Sequence, residues 1–156
     1  MSSNKTYDVL LNKFRVFAEN HKLIKQFTFG QYENIDTDKF PEYPLMHVYL
    51  VQVTYPRRMK RWTWEVYIYD LPRDKEDEAG YQVQTLSETQ LIAEDLIASL
   101  LMLPLFNDEG AIDGDPSIDP LMKEDSNTLT GWVVRFSYVT PWTWDNCNLP
   151  STLTGN

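Results

Sequence analysis

The sequence predicts an α+β domain in which two helices pack on a mostly antiparallel sheet of four strands. Two stretches carry this prediction, because each alternates large apolar residues with a mixed set, as a strand with one buried face does. Residues 61–70 read RWTWEVYIYD, and residues 131–139 read GWVVRFSYV. Two other stretches repeat apolar residues at helical spacing. A sheet with a strongly apolar face needs such helices to cover it.

Two helices are predicted from these repeats. The first spans about residues 6–21. The second begins at a capping box, Thr85 to Glu88, in which the hydroxyl and the carboxylate satisfy amides of the first turn. It continues to Pro104, and we expect its wide apolar face, which includes Leu91 and Leu101, to lie across the sheet.

Three long polar stretches lie between the predicted elements, whereas the second and third strands are joined by a short hairpin turn. The element order is helix, strand, strand, strand, helix, strand. Loops as long as these stretches are usually functional or disordered, so we interpret them as arms. At 156 residues the chain is most simply one domain, residues 1–156. The strands cover about residues 26–30, 45–55, 61–70 and 131–139, the arms about 31–44, 70–84 and 107–127, and an aromatic C-terminal segment covers 141–156.

The composition excludes several classes of protein. A net charge of -9 argues against a protein that wraps nucleic acid, which needs clustered cations on one face. A single cysteine, Cys147, rules out an internal disulfide framework. The sequence shows no signal region and no apolar run long enough to span a bilayer, so we expect neither secretion nor membrane insertion.

No catalytic constellation is visible in the sequence. The phosphate-binding, dinucleotide-binding and serine-hydrolase glycine motifs are absent, and His21, His47 and Cys147 are too widely separated to suggest a zinc site. We therefore predict a protein that is not an enzyme, with no catalytic residue, no metal and no cofactor. The alternative is a metal-dependent enzyme that uses the carboxylates of the acidic stretch 108–125.

The candidate contact residues lie in a predicted hairpin and in the C-terminal segment. The turn of this hairpin, residues 56–61, reads PRRMKR, and its cations suit an acidic protein surface better than DNA. They also have a simpler explanation, because charges keep hairpin strands from pairing with other chains. The candidates for contact between subunits are Arg57, Arg58, Lys60, Arg61, Trp142 and Trp144.

The sequence resembles the tail-terminator and neck-ring proteins of tailed double-stranded DNA bacteriophages. A first helix leads to FTFG at residues 27–30, and YPLMHV at residues 43–48 opens a strand. The second helix opens with TLSET at residues 85–89, and a strand that starts with Gly131 and Trp132 precedes WDNC at residues 144–147. The resemblance covers nearly the whole chain and leans towards the crAss-like short-tailed phages.

The resemblance implies a structural virion protein, present in the host cytoplasm during assembly. Such a protein forms a homo-oligomeric ring of six or twelve copies between the portal or adaptor and the tail proteins, and DNA passes through its lumen without sequence-specific binding. The alternative from a different class is a cytosolic adaptor or assembly chaperone, which binds a protein partner along its sheet.

Overall fold

The computed structural model describes residues 4–31, 42–71, 78–122 and 129–143. Within these residues the chain forms one sheet and three helices, so the predicted α+β class is confirmed. None of the described helices has both the length and the hydropathy that crossing a bilayer requires. The elements are α1 (Tyr7–Asn20), β1 (Gln26–Phe29), β2 (Leu45–Thr54), β3 (Met59–Asp70), α2 (Glu78–Met102), α3 (Pro104–Asn107), β4 (Ala111–Met122) and β5 (Thr130–Pro141).

The sheet has five strands in the order β1-β2-β3-β5-β4. β1 pairs with β2 in parallel, and the other three pairings are antiparallel. β2 and β3 form a hairpin, whereas β5 inserts between β3 and β4. The two edges of the sheet are therefore different strands, a short β1 on one side and a long β4 on the other.

The prediction of four strands was wrong because the arm predicted at 107–127 contains β4. This strand is irregular, with a register shift between Asp113 and Ser117. Edge strands tolerate the glycine and prolines that weaken a central strand. Ile112 and Ile118 pack against the main core, which holds β4 against β5 in spite of its acidic sequence.

The second helix is longer than predicted. α2 begins at Glu78, so Thr85 lies inside the helix and does not cap it. The carbonyl of Thr85 accepts a hydrogen bond from Thr89 Oγ1 at 2.7 Å. The helix ends at Met102, and Pro104 then opens α3. The arm predicted at 70–84 is therefore helical from residue 78; its residues 72–77, and residues 32–41 of the first arm, lie outside the described residues.

The main core is built around Trp64, whose side chain is completely buried. Tyr7 and Phe14 of α1 place their ring centroids 6.1 and 5.0 Å from that of Trp64. Trp62 stacks on the same indole at 6.1 Å. The helices α1 and α2 both contribute to this core, as predicted for the apolar face of the sheet. Its other large members include Val66, Ile68, Ile92, Leu96, Leu100, Phe106, Val134 and Phe136.

The opposite face of the sheet carries a second, smaller cluster of buried residues, which explains why both faces are aromatic. It contains Tyr67, Tyr69 and Val133. The buried imidazole of His47 lies near it, with Nδ1 2.7 Å from Thr28 Oγ1 and Nε2 3.0 Å from the Gly30 carbonyl. Both ring nitrogens of His47 therefore have a hydrogen-bond partner within the chain.

Replacing Gly131 with alanine should be strongly destabilising. A Cβ at this position would lie 1.7 Å from the Ile68 carbonyl oxygen, a backbone atom that cannot move without breaking the β3–β5 ladder. We expect Gly131→Ala to lower the free energy of unfolding by about 3 kcal/mol or more, measured by urea denaturation. The control is Gly114→Ala, where φ is +80° but a new Cβ would have no neighbour within 4 Å. If Gly131→Ala lowers the free energy of unfolding by less than Gly114→Ala does, the steric explanation is contradicted.

His47 should make the protein less stable as the pH falls below about 6.5, the ordinary pKa of histidine. Burial lowers the pKa of His47 in the folded chain, so between that lowered pKa and 6.5 the unfolded chain binds more protons. The free energy of unfolding then decreases as the pH drops through this window, and is fully retained above it. His47→Gln should flatten this slope, as followed by urea denaturation at several pH values; an unchanged slope would contradict the assignment. His21→Gln, which replaces the other histidine, is the matched control.

Candidate functional site

The β2–β3 hairpin ends in a tight turn at Arg57 and Arg58, both of which are exposed. Arg57 has a φ of 57°, which places it in the left-handed region that residues with a Cβ adopt infrequently. The Met59 amide donates to the Pro56 carbonyl at 3.2 Å and closes the turn. The two arginines therefore sit at the turn that ends the hairpin, beside the end of β5.

Trp142 braces this turn from the end of β5. Its backbone amide donates to the Arg58 carbonyl at 2.8 Å. Its ring meets Tyr55 edge to face, with centroids 4.9 Å apart. Trp142, predicted as a contact between subunits, thus makes contacts within its own chain and remains half-buried. Trp144, the other predicted anchor, lies outside the described residues.

The segment before α1 is tied to the same region. The Thr143 amide donates to Asn4 Oδ1 at 2.8 Å, and Asn4 Nδ2 donates back to the Thr143 carbonyl. Because these two bonds are reciprocal, they hold residues 142 and 143 in one orientation relative to α1. The turn of the hairpin is therefore held from the N-terminal side as well.

Lys60 differs from the arginines at the tip, because it is only 8% exposed. Its Nζ donates to the Lys5 carbonyl at 2.6 Å and lies 5.7 Å from the centroid of the Trp62 ring. Burial lowers the pKa of Lys60. The expectation that Lys60 is an accessible cation at the tip is therefore corrected. The physical reason is strand alternation, since Lys60 shares the face of β3 that carries Trp62 and Trp64.

Arg61 lies on the other face of β3 and has a partner within the chain. Its Nε donates to Asp113 Oδ2 of β4 at 2.7 Å. Further along the same face, Arg135 donates from Nε to Glu65 Oε2 at 2.9 Å and from Nη1 to Asp119. The acidic residues of β4 thus neutralise arginines of the inner strands across the sheet.

These pairs bear on the metal-site alternative for residues 108–125. Within the described part of this stretch, Asp113 and Asp119 are held by arginines, and Lys13 Nζ lies 2.8 Å from Asp108 Oδ1. The hydrogen bond from Lys13 lowers the pKa of Asp108. The described residues contain no group of three or more His, Cys, Asp or Glu side chains that could hold a metal ion.

Arg57 and Arg58 are the two cations of the predicted set whose side chains have no hydrogen bond or ion pair in the described part of the chain. Exposed apolar side chains lie beside them on the same hairpin, and the Tyr55 ring is 53% exposed. We call this set the hairpin tip; it consists of Tyr55, Arg57, Arg58 and Met59.

A second exposed surface was missed by the sequence analysis. Leu91 of α2, predicted to face the sheet, is 58% exposed, and Met102 is 79% exposed. Glu88 and Glu94 are exposed on the same side of the helix. Leu91 precedes the buried Ile92 and lies outside the buried row that includes Ile92 and Leu96, and its residue type gives no signal of this exposure.

Comparison with known proteins gives the fold and no more. No protein-family model matches the chain, and no curated protein matches it. One matching solved structure, whose recorded name states no function, aligns with 91% of this chain and 100% of its own length, at a TM-score of 0.53 and 12% sequence identity. At that identity the likeness shows that another protein adopts this arrangement of helices and strands.

Because Lys60 is buried and Arg58 is exposed, Lys60→Ala should destabilise the protein more than Arg58→Ala. Lys60→Ala uncovers the Trp62 ring and leaves the Lys5 carbonyl without its donor, so we expect a loss of about 1–3 kcal/mol in the free energy of unfolding. Arg58→Ala removes an exposed side chain and should change it by less than about 0.5 kcal/mol. Urea denaturation of both variants measures the difference, and equal effects would contradict the placement of Lys60.

Proposed function

We propose that the protein is a structural virion protein that forms a ring in the neck, or at the head-proximal end of the tail, of a tailed double-stranded DNA phage. In this role it joins the portal or head to the tail and surrounds the DNA channel. One observation carries the proposal: the hairpin tip holds two exposed, braced arginines that have no acidic partner within the described part of a chain with a net charge of -9. Cations placed in this way suit another acidic copy or an acidic neighbour in the neck.

The architecture supports assembly in a ring. The sheet ends in different strands, β1 on one side and β4 on the other. Contacts that join one of these sides to the other are heterologous, and heterologous contacts close into a ring when the rotation between neighbours is a whole fraction of a turn. The resemblance of the sequence to neck-ring proteins provides the biological setting.

The acidity of the chain also supports a place around DNA. A subunit of net charge -9 repels phosphates unless its cations are gathered on one face. Among the described cations, Arg61 and Arg135 are neutralised across the sheet and Lys60 is buried, so the cations are not gathered on one face. A channel lined by such a surface lets DNA slide through without binding.

The proposal is tested by the mass of the pure protein over a wide concentration range, alone and mixed with the portal protein of the same phage, with negative-stain imaging of large species. We expect a ring, formed alone or on the portal. The double variant Arg57→Glu with Arg58→Glu should fail to assemble while its thermal unfolding stays unchanged, because it reverses the charge of the hairpin tip.

The matched control is Lys22→Glu with Lys25→Glu, which makes the same change in charge on an exposed loop away from the hairpin. This control should assemble like the wild type. A protein that stays a small oligomer under every condition, including with portal, would contradict the proposal.

An adaptor or assembly chaperone is the second candidate function. The observation that favours it is the length of β4, a twelve-residue edge strand that pairs only with β5 in the described part of the chain. Such an edge accepts an extended peptide by strand addition. Its bulge and its prolines weaken that capacity, which is why the ring is preferred. A monomer that binds a phage protein through β4 would favour the adaptor.

A further inference from the structure

We propose that the hairpin tip of one copy docks on the outer face of α2 of the next copy. This inference rests on the proposed ring and identifies the two surfaces that join its subunits. It is carried by exposure and by charge complementarity between two parts of the same chain. We call the second surface the α2 outer face; it consists of Glu88, Leu91, Glu94, Asp95, Ala98 and Met102, all exposed.

The α2 outer face is one continuous strip along the helix. Leu91, Ala98 and Met102 follow one another at steps of seven and four residues, which places them on a single line. The opposite side of the helix, with Ile92 and Leu96, is buried against the sheet. An apolar line exposed on a helix that is already packed on its other side indicates a docking surface.

Carboxylates flank this apolar line on both sides, and α2 contains no lysine or arginine. Glu88 Oε1 accepts from Gln84 at 3.2 Å, and Glu94 Oε1 accepts from Gln90 at 3.3 Å. Asp95 Oδ2 lies 2.8 Å from His21 Nε2. Glu88 and Glu94 thus have neutral neighbours and no cation among the described residues, so they can receive arginines from outside.

The hairpin tip presents the matching pattern. Its two exposed guanidinium groups lie beside exposed apolar side chains, as the carboxylates of α2 lie beside Leu91 and Met102. Arginine and carboxylate pair through two parallel hydrogen bonds, which gives direction as well as strength. The brace from Trp142 fixes the turn before docking, so little conformational freedom is lost on contact.

The two surfaces must belong to different copies. The tip lies at the Met59 end of β3, whereas Trp132 Nε1 donates to the Leu86 carbonyl at 2.8 Å and holds Leu86 of α2 near Ile68, the β3 partner of Trp132. The strand between Met59 and Ile68 spans roughly 30 Å. A tip therefore cannot reach Glu88 of its own chain, and the contact is heterologous, as a ring requires.

Charge reversal on the two surfaces tests the pairing. Arg57→Glu with Arg58→Glu gives a subunit whose tip and α2 face are both acidic, and Glu88→Lys with Glu94→Lys gives one in which both are basic. Each double variant alone should self-associate at least about tenfold more weakly than wild type, because like charges meet at every contact. Mixed in equal amounts, the two should alternate around the ring and recover its mass, read by mass photometry and negative-stain imaging.

The controls separate this inference from the proposed function. Glu19→Lys with Glu42→Lys, two exposed acids outside α2, should assemble normally, and thermal unfolding should match wild type for every variant. If Glu88→Lys with Glu94→Lys still forms the ring like the wild type, the docking of the hairpin tip on α2 is overturned and the ring proposal stands. The same holds if the two charge-reversed variants fail to assemble when they are mixed. Absence of any ring from the wild type, with or without portal, would overturn both.

Discussion

The pairing of β3 on both sides is the constraint on which the rest of the structure depends. β3 is hydrogen-bonded to β2 and, over twelve residues, to β5. These two ladders fix the row of side chains on one face of β3, which includes Trp62 and Trp64. The helices α1 and α2 pack on this row. The close approach of Gly131 to the Ile68 carbonyl shows how little space the ladder leaves. The β3–β5 ladder begins at Met59 and the β2–β3 ladder at Thr54 and Arg61, so Arg57 and Arg58 lie outside both ladders and are exposed.

The central strands could be predicted from the sequence because alternating aromatic and β-branched residues have few other stable conformations. β4 could not, since Gly114, Pro116 and Pro120 are typical of loops and their neighbours are acidic. Its conformation comes from its partner: β5 supplies the ladder, while Ile112 and Ile118 supply enough apolar contact to hold an irregular edge. Tertiary context overrides local preference at this strand. The early start of α2 was missed for a related reason, because the capping-box pattern also occurs inside helices.

The candidate site was predictable in part. Strand alternation alone separates Lys60 from Arg61, because Lys60 has the same parity as the buried Trp62 and Trp64. The partner of Arg61 was not predictable, since Asp113 belongs to a strand that the sequence did not reveal. Arg57 and Arg58 lie beyond the last pairs of the β2–β3 ladder, where alternation no longer sets the direction of a side chain. The exposure of Leu91 was equally hidden, because its residue type argued for the core and only the packing of α2 places it outside.

The proposed contact must overcome the repulsion between subunits that each carry a charge of -9. At ionic strengths near physiological, screening limits this repulsion to charges within roughly 8 Å, so only the residues next to the contact decide its sign. A hairpin tip without charge would place apolar side chains against Glu88 and Glu94 and leave both carboxylates without partners. Burying an unpaired carboxylate away from water costs free energy. Two arginines at that place convert the same carboxylates into partners. In the proposed contact, the local inversion of charge at the end of the hairpin is thus the feature that would let one acidic subunit bind another at one defined place while other parts of their surfaces repel.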